Sequence, residues 1–145
     1  MTNSDNHERK HISMTVMTPT AEEFIREKRQ RFEKERGKKE LKFKDISRKG
    51  YRVWKREAWT FMPQSDYPEK VFVIERLRYS HDEDKGGLKP WASDYDRCQY
   101  RIGYFIVGKI GRQRGKWTWA QFCPLIPSRD IRELIKRAED EETIQ

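Results

Sequence analysis

Residues that can hold a polyanion concentrate in one stretch of the chain, Arg101–Gln121, which reads RIGYFIVGKIGRQRGKWTWAQ. Apolar and aromatic residues dominate Ile102–Ile110, as they do in a buried strand. A glycine-bounded turn, Gly111–Gly115, then carries two arginines, and Trp117 and Trp119 alternate with smaller residues beyond it. The stretch therefore predicts a β-hairpin with a positively charged tip, which can contact phosphate groups.

Cations on neighbouring strands extend this basic surface beyond the tip of the hairpin. Lysine and arginine neutralise phosphates with a salt-dependent gain in affinity, and an exposed tryptophan or tyrosine can stack on an unpaired base for roughly 1 to 3 kcal/mol. For each tryptophan taken alone, a place in the core is the commoner alternative. The candidate nucleic-acid-binding residues are Arg76, Arg78, Arg101, Lys109, Arg112, Arg114 and Lys116. We expect RNA or DNA to bind here through its backbone, without recognition of specific bases.

The charge of the chain allows two interpretations. It has 32 Lys and Arg residues against 24 Asp and Glu residues, which gives a formal net charge of +8. An excess of this size attracts polyanions, although the two signs interleave along most of the chain, as they do on many protein surfaces. The charge is thus compatible with a nucleic-acid partner and equally with a role in solubility.

The sequence lacks the common motifs for metal, nucleotide or cofactor chemistry. It contains no C-x-x-C or H-E-x-x-H pattern for zinc, and its glycines fit neither a P-loop nor a dinucleotide-binding turn. We therefore expect no metal and no cofactor. His81 beside Asp82 could form an acid–base pair, but a solvated histidine is the commoner case. The acidic residues that could hold Mg²⁺ are Asp82, Glu83, Asp84, Asp94 and Asp96, and surface solubility explains them as well.

Two other functions stay open beside nucleic-acid binding. Trp91 lies in the long loop predicted for His81–Asp96, where it needs a pocket in this protein or in a partner. The chain could therefore be a protein-interaction module, an adaptor or accessory subunit. A toxin-like endoribonuclease is the second alternative, because Arg, Lys and Tyr side chains can support RNA cleavage without a metal, and no motif assigns its catalytic residues.

Helices are predicted at both ends of the folded part. Thr20 and Glu23 form a capping box before a helix over Ala21–Arg36, whose alternating charges indicate a solvated face. Near the C-terminus, Ser128 is the predicted N-cap of a second helix. The apolar face of this helix consists of Ile131, Leu134, Ile135 and Ala138. Their helical spacing indicates that the helix covers a sheet.

The sheet is predicted from the segments between these helices. Tyr51–Met62 and Val71–Tyr79 form two antiparallel strands joined by a turn of about eight residues, and Lys38–Lys49 suits an edge segment or a connector. Both faces of Val71–Tyr79 are partly apolar, which favours a central strand.

The two cysteines, Cys98 and Cys123, are too few for a secreted disulfide framework. If Gly111 faces Lys116 across the hairpin turn, Cys123 pairs with Tyr104 and lies away from Cys98, so both cysteines are predicted to be reduced thiols. No stretch approaches the roughly 18 to 20 apolar residues of a membrane span, and the N-terminus lacks the apolar core of a signal peptide. We expect a cytoplasmic protein that does not associate with membranes.

The overall organisation follows from length and aromatic content. A chain of 145 residues fits one domain, and its 5 Trp, 6 Tyr and 7 Phe residues supply much of the core. Residues 1–17 are polar and aperiodic and are predicted to be a disordered tail, while residues 18–145 form a single domain. The expected fold is α+β, with an N-terminal helix, an antiparallel sheet of about four strands that includes the basic β-hairpin, and a C-terminal amphipathic helix packed on the sheet.

Overall fold

The fold consists of two helices and one antiparallel sheet. The computed structural model describes residues 17–44, 46, 49–83, 97–120 and 122–145, so nearly all of the predicted tail lies outside the described residues. The helices are α1 (Ala21–Glu35) and α2 (Ser128–Asp140), and the strands are β1 (Glu40–Lys44), β2 (Tyr51–Gln64), β3 (Tyr67–Asp82), β4 (Cys98–Val107) and β5 (Trp117–Ala120). The strands lie in the order β1-β2-β3-β4-β5, each antiparallel to the next. The α+β prediction is confirmed, with five strands in place of about four.

Helix α1 begins as its sequence predicts. The Thr20 hydroxyl accepts a hydrogen bond from Glu23 N, and the Glu23 carboxylate accepts one from Thr20 N, so the capping box is complete. Phe24 and Phe32 are buried on the inner side of the helix. On the outer side, Arg31 pairs with the carboxylate four residues before it, as expected for a solvated face.

The additional strand is β1, in the segment expected to be an edge or a connector. Leu41 and Phe43 are half-buried, whereas the residues that alternate with them are exposed. Leu41 lies opposite Trp54, which is buried as expected of a core tryptophan. The lysines on the outward positions suit an edge strand because charge there discourages pairing with another chain.

The turn between β2 and β3 is much shorter than predicted. Gln64 pairs with Tyr67, so only two residues connect the strands. Pro63 and Pro68, which suggested a long turn, lie inside the strands, and the register shifts between Pro63 and Gln64. Prolines are tolerated near strand ends and at such irregularities, where a missing N–H is not costly. The prediction that β3 is a central strand is confirmed.

The register of the basic hairpin also differs from the predicted one. Tyr104 pairs with Ala120 and not with Cys123, and the residues between the strands form a wider loop. Cys123 therefore lies beyond β5, where it is exposed, and Cys98 lies in β4. Both cysteines are free, as predicted.

Each face of the sheet has its own core. On one face the buried residues are Phe24, Phe32, Trp59, Phe61, Val71, Val73 and Phe105, with Trp117 and Trp119 half-buried against them. On the other face they are Met62, Phe72, Ile74, Leu134 and Ala138. Helix α1 thus covers one face and α2 the other, which explains why β3 is apolar on both sides.

Helix α2 packs on the sheet as predicted but begins differently. Pro127 occupies the N-cap position and no side chain caps the helix, so the prediction that Ser128 is the N-cap is wrong. Instead, the Pro127 carbonyl accepts from Asp130 N over 2.8 Å, and the fixed φ of proline preorganises the first turn. Leu134 and Ala138 are fully buried, while Ile131 at the edge of the apolar face is exposed. Neither described helix is long and apolar enough to cross a membrane.

The face that carries α1 is concave, because the sheet curls. Strands β1 and β4 are separated by two other strands, yet the Arg101 guanidinium carbon on β4 lies 4.4 Å from the centre of the Phe43 ring on β1. Neighbouring strands of a sheet lie about 4.8 Å apart. In a flat sheet, β1 and β4 would therefore be separated by roughly three times this distance. We call this side of the sheet the concave face.

Candidate nucleic-acid interface

The predicted cationic tip is the β4–β5 loop, Gly108–Lys116, and its backbone is held by internal hydrogen bonds. Gly108 N donates to Lys116 O over 3.0 Å, and Gly115 N donates back to Gly108 O over 2.9 Å. A short 3₁₀ turn, Gly111–Gln113, shapes its outer part. A Cβ atom at Gly108 would lie 2.2 Å from the Gln113 carbonyl oxygen, so this close crossing of the backbone requires glycine. These contacts therefore give the loop a defined backbone conformation.

The β4–β5 loop is also anchored to the start of α1. The Thr18 hydroxyl donates to Gly115 O, and the Trp117 indole N–H donates to Pro19 O, each over 2.8 Å. The Trp117 ring stacks on Phe24 at 4.8 Å with an interplanar angle of 14°. Because these contacts join the loop to the core of the concave face, its cations are displayed from a fixed support.

Four of the predicted nucleic-acid-binding residues lie together on this loop. Lys109 donates to Glu69 over 2.6 Å, and this hydrogen bond raises the pKa of Lys109 above its ordinary value. Arg114 donates from Nε to the Lys109 carbonyl over 3.3 Å. Arg112 and Lys116 are exposed, and their side chains make no hydrogen bond or ion pair with any described residue. The loop thus offers cations whose charge is only partly compensated.

Arg76 and Arg78 lie apart from the β4–β5 loop, on the face of the sheet that carries α2. Both pair with Glu57, which sits at an irregularity of β2 where the register shifts. Arg76 also donates to the carbonyls of Glu142 and Thr143, over 2.7 and 3.2 Å, and its side chain is only 12% exposed. These hydrogen bonds tie the C-terminal residues to the sheet, so Arg76 has a structural role.

Arg101 lies in a third place, on the concave face. Its Nε donates to Glu75 over 2.6 Å, and its guanidinium lies between the rings of Phe43 and Trp119, at 4.4 and 4.7 Å. The seven predicted residues therefore do not form one surface. The β4–β5 loop gathers Lys109, Arg112, Arg114 and Lys116, while Arg76, Arg78 and Arg101 are bound to carboxylates within the sheet.

Arg56 completes the arrangement around Arg101, and sequence reasoning did not connect these two arginines through Glu75. Arg56 binds Glu75 with two nitrogens, Nε at 2.9 Å and Nη2 at 2.7 Å, and its guanidinium stacks on Trp59 at 3.9 Å. Glu75 is 1% exposed. We call Arg56, Glu75 and Arg101 the Glu75 cluster. A charged residue in the middle of the apolar run VFVIERL was the available signal for it.

A large cavity of about 1190 Å³ lies beside the β4–β5 loop, but its lining does not suit an anion. The charged residues around it are Lys109, Arg114, Arg137, Glu22, Glu69, Asp130 and Glu133. Its four carboxylates outnumber its three cations, so the potential inside it does not favour phosphate. Any contact with nucleic acid is therefore expected on the outer side of the loop.

The other candidate residues have ordinary surroundings or fall outside the described residues. His81 Nδ1 lies 3.0 Å from the Ser80 hydroxyl, Asp82 pairs with Arg52, and Glu83 pairs with Lys42. His81 and Asp82 end β3, so the long loop predicted from His81 begins later than expected. Trp91, Asp84, Asp94 and Asp96 lie outside the described residues. Within the described part of the chain, no group of three His, Cys, Asp or Glu residues is arranged to hold a metal.

Comparison of the chain with models of known protein families, with curated proteins and with solved structures finds no significant match.

Proposed function

We propose that this protein binds nucleic acid by contacting backbone phosphates with the β4–β5 loop. The observation that carries the proposal is the grouping of Lys109, Arg112, Arg114 and Lys116 on one anchored loop, with a single carboxylate, Glu69, bound to them among the described residues. When such cations contact phosphates, they release the counterions that are condensed on the nucleic acid. This release is the main source of nonspecific affinity for nucleic acids.

The hydrogen bonds that hold the loop backbone support the proposal. Side chains on a fixed backbone lose less conformational freedom on binding than side chains on a mobile one. The tryptophans of β5 do not add stacking platforms, because Trp117 stacks on Phe24 and Trp119 packs edge-on against Phe105. We therefore propose recognition of the phosphate backbone without base readout, and a cytoplasmic site of action where RNA is abundant.

The test measures the affinity of the purified protein for labelled single-stranded RNA, single-stranded DNA and duplex DNA by fluorescence anisotropy over a salt series. A variant with Arg112→Glu, Arg114→Glu and Lys116→Glu should lose at least about tenfold in affinity at low salt, because three favourable phosphate contacts become repulsive. Circular dichroism and urea unfolding establish that the variant is folded.

A matched control carries the same change in charge at three lysines outside the β4–β5 loop. Lys34, Lys38 and Lys49 are exposed and make no ion pair with any described residue, so their joint replacement by Glu changes the net charge equally. This control should retain most of the affinity. Equal losses in both variants would mean that net charge alone matters, and absence of binding by the wild-type protein at low salt would overturn the proposal. Cleavage of RNA in these incubations would favour the endoribonuclease alternative.

A further inference from the structure

A second cavity opens on the concave face, directly over the Glu75 cluster. Its volume is about 680 Å³, within the range of roughly 300 to 1,000 Å³ that is typical of small-molecule sites. Leu41 and Phe43 of edge strand β1 line one side, and Trp119, Ala120 and Phe122 line the other. The curl of the sheet therefore produces a concave pocket that has apolar side chains on two sides and the charged groups of the Glu75 cluster at its floor.

The charges of this pocket are unbalanced. Glu75 is a single carboxylate held between the guanidinium groups of Arg56 and Arg101, so the cluster carries one excess positive charge. The side chains of Arg56 and Glu75 are 13% and 1% exposed, which limits compensation by water. Lys42 and Lys44 also line the pocket, although Lys42 is paired with Glu83. A bound anion would compensate the excess positive charge.

Arg101 supplies the donors for such an anion. Its Nε is bound to Glu75, whereas its Nη1 and Nη2 make no hydrogen bond with any described residue. The side chain is 30% exposed and is held between the rings of Phe43 and Trp119, so its orientation is set before a ligand arrives. A guanidinium with both terminal nitrogens available matches the two oxygens of a carboxylate or phosphate.

Trp119 is positioned for this arrangement by a glycine. A Cβ atom at Gly103 would lie 2.3 Å from Cη2 of the Trp119 ring, so the indole rests directly on the β4 backbone. This contact keeps the ring beside Arg101 at the wall of the pocket.

We propose that this pocket binds a small organic molecule with one carboxylate or phosphate group and an apolar body of ring size. The terminal nitrogens of Arg101 hold the oxyanion, Glu75 and Arg56 fix Arg101 from below, and the apolar body lies among Leu41, Phe122 and Ala120. This site is separate from the β4–β5 loop and does not depend on nucleic-acid binding.

Isothermal titration calorimetry with three probes that share a naphthalene ring system tests the assignment. The probes are 2-naphthoate, 2-naphthyl phosphate and neutral 2-naphthol, and the salt concentration is high enough to screen surface charges. At least one of the two anions should bind about tenfold or more tightly than 2-naphthol, and the stronger anion identifies the preferred head group. Equal binding of all three probes, or no binding of either anion, would overturn the proposal.

Variants of Arg101 separate the role of its two terminal nitrogens from the role of its positive charge. Arg101→Gln should abolish the preference for the anions while leaving Glu75 paired with Arg56, and Arg101→Lys, which keeps the charge, should have intermediate affinity. Lys70→Gln is the matched control, because Lys70 lies over the Phe72 and Tyr104 rings and is not part of this pocket. Unchanged anion preference in Arg101→Gln would contradict the assignment, as would displacement of the bound probe by an oligonucleotide.

Discussion

Glu75 on β3 and Arg101 on β4 lie directly opposite each other in the sheet, and Arg101 Nε donates a 2.6 Å hydrogen bond to the buried carboxylate. Arg56 binds the other oxygen of the same carboxylate from β2. One acidic residue therefore compensates cations from both neighbouring strands of the central strand. Without it, the two guanidinium groups would lie close together without a counterion.

Replacement of Glu75 by Gln tests this compensation. The variant keeps the shape of the side chain but leaves Arg56 and Arg101 without their counterion, so the free energy of unfolding should fall by about 3 to 5 kcal/mol. Urea denaturation measures the change. Glu133→Gln, which removes an exposed pair with Arg137, serves as the control and should cost about 1 kcal/mol or less. A loss of similar size in both variants would show that the cluster is not important for stability.

Local patterns in the sequence predict the elements of this fold better than they predict its pairings. The capping box of α1 and the apolar run of β3 are encoded within a few residues, and both were predictable. The position of Glu57 was not, because a register shift in β2 turns it toward Arg76 and Arg78. Such a shift depends on contacts between strands that no local pattern specifies.

The prediction of the candidate site from the sequence was limited in the same way. The cations of the β4–β5 loop were predictable from their place in a glycine-rich turn, whereas the register of the loop was not. The register of the loop depends on the crossing of Gly108 over the Gln113 carbonyl, which is a contact between residues five positions apart. Arg101 was assigned to the same surface because strand alternation alone does not reveal that Glu75 and Arg56 bind it.

A buried pair of hydroxyl groups ties the C-terminal residues to β2. Thr60 Oγ1 donates to Thr143 Oγ1 over 2.8 Å, and both residues are essentially inaccessible. Thr143→Val should lower the free energy of unfolding by about 1 to 3 kcal/mol, because the Thr60 hydroxyl loses its partner. The double variant with Thr60→Val should cost less than the sum of the two single changes. Additive effects in urea unfolding would show that the two hydroxyls do not interact.

Gly103 should resist substitution although it lies within a strand. Alanine in place of strand glycine normally lowers the entropy of the unfolded chain and is tolerated or stabilising. Here the added methyl group would lie 2.3 Å from Trp119, so Gly103→Ala should destabilise the protein by about 1 to 3 kcal/mol and shift the tryptophan fluorescence. In a Trp119→Leu background the same change should cost much less. An equal cost in both backgrounds would show that the destabilisation does not come from a steric clash with Trp119.

The cations of the β4–β5 loop should contribute unequally to the salt dependence of nucleic-acid binding. Lys116 makes no ion pair with any described residue, so Lys116→Ala should reduce the slope of log K against log salt by about 0.7 for single strands and 0.9 for duplex DNA. Lys109 is already paired with Glu69, and Lys109→Ala should change the slope by less than half as much. Anisotropy titrations over a salt series provide both slopes. Equal reductions would show that the pair with Glu69 opens on binding.

Asp130 should make the stability of the protein dependent on pH in the acid range. The carboxylate lies in the first turn of α2 and accepts a 3.0 Å hydrogen bond from Ser65 N in the β2–β3 turn. Burial by itself would raise the pKa of Asp130, but the hydrogen bonds from Ser65 outweigh it and hold this pKa below the ordinary value of 3.8. A carboxyl with a lowered pKa in the folded state stabilises the protein above the unfolded value and loses this contribution as pH falls through the folded value. Wild type should therefore be more stable than Asp130→Asn near neutral pH, and the difference should shrink below about pH 4. Urea unfolding over this pH range measures it, with Glu139→Gln on the exposed side of α2 as the control. A difference that stays constant down to low pH would show that the charge of Asp130 does not contribute.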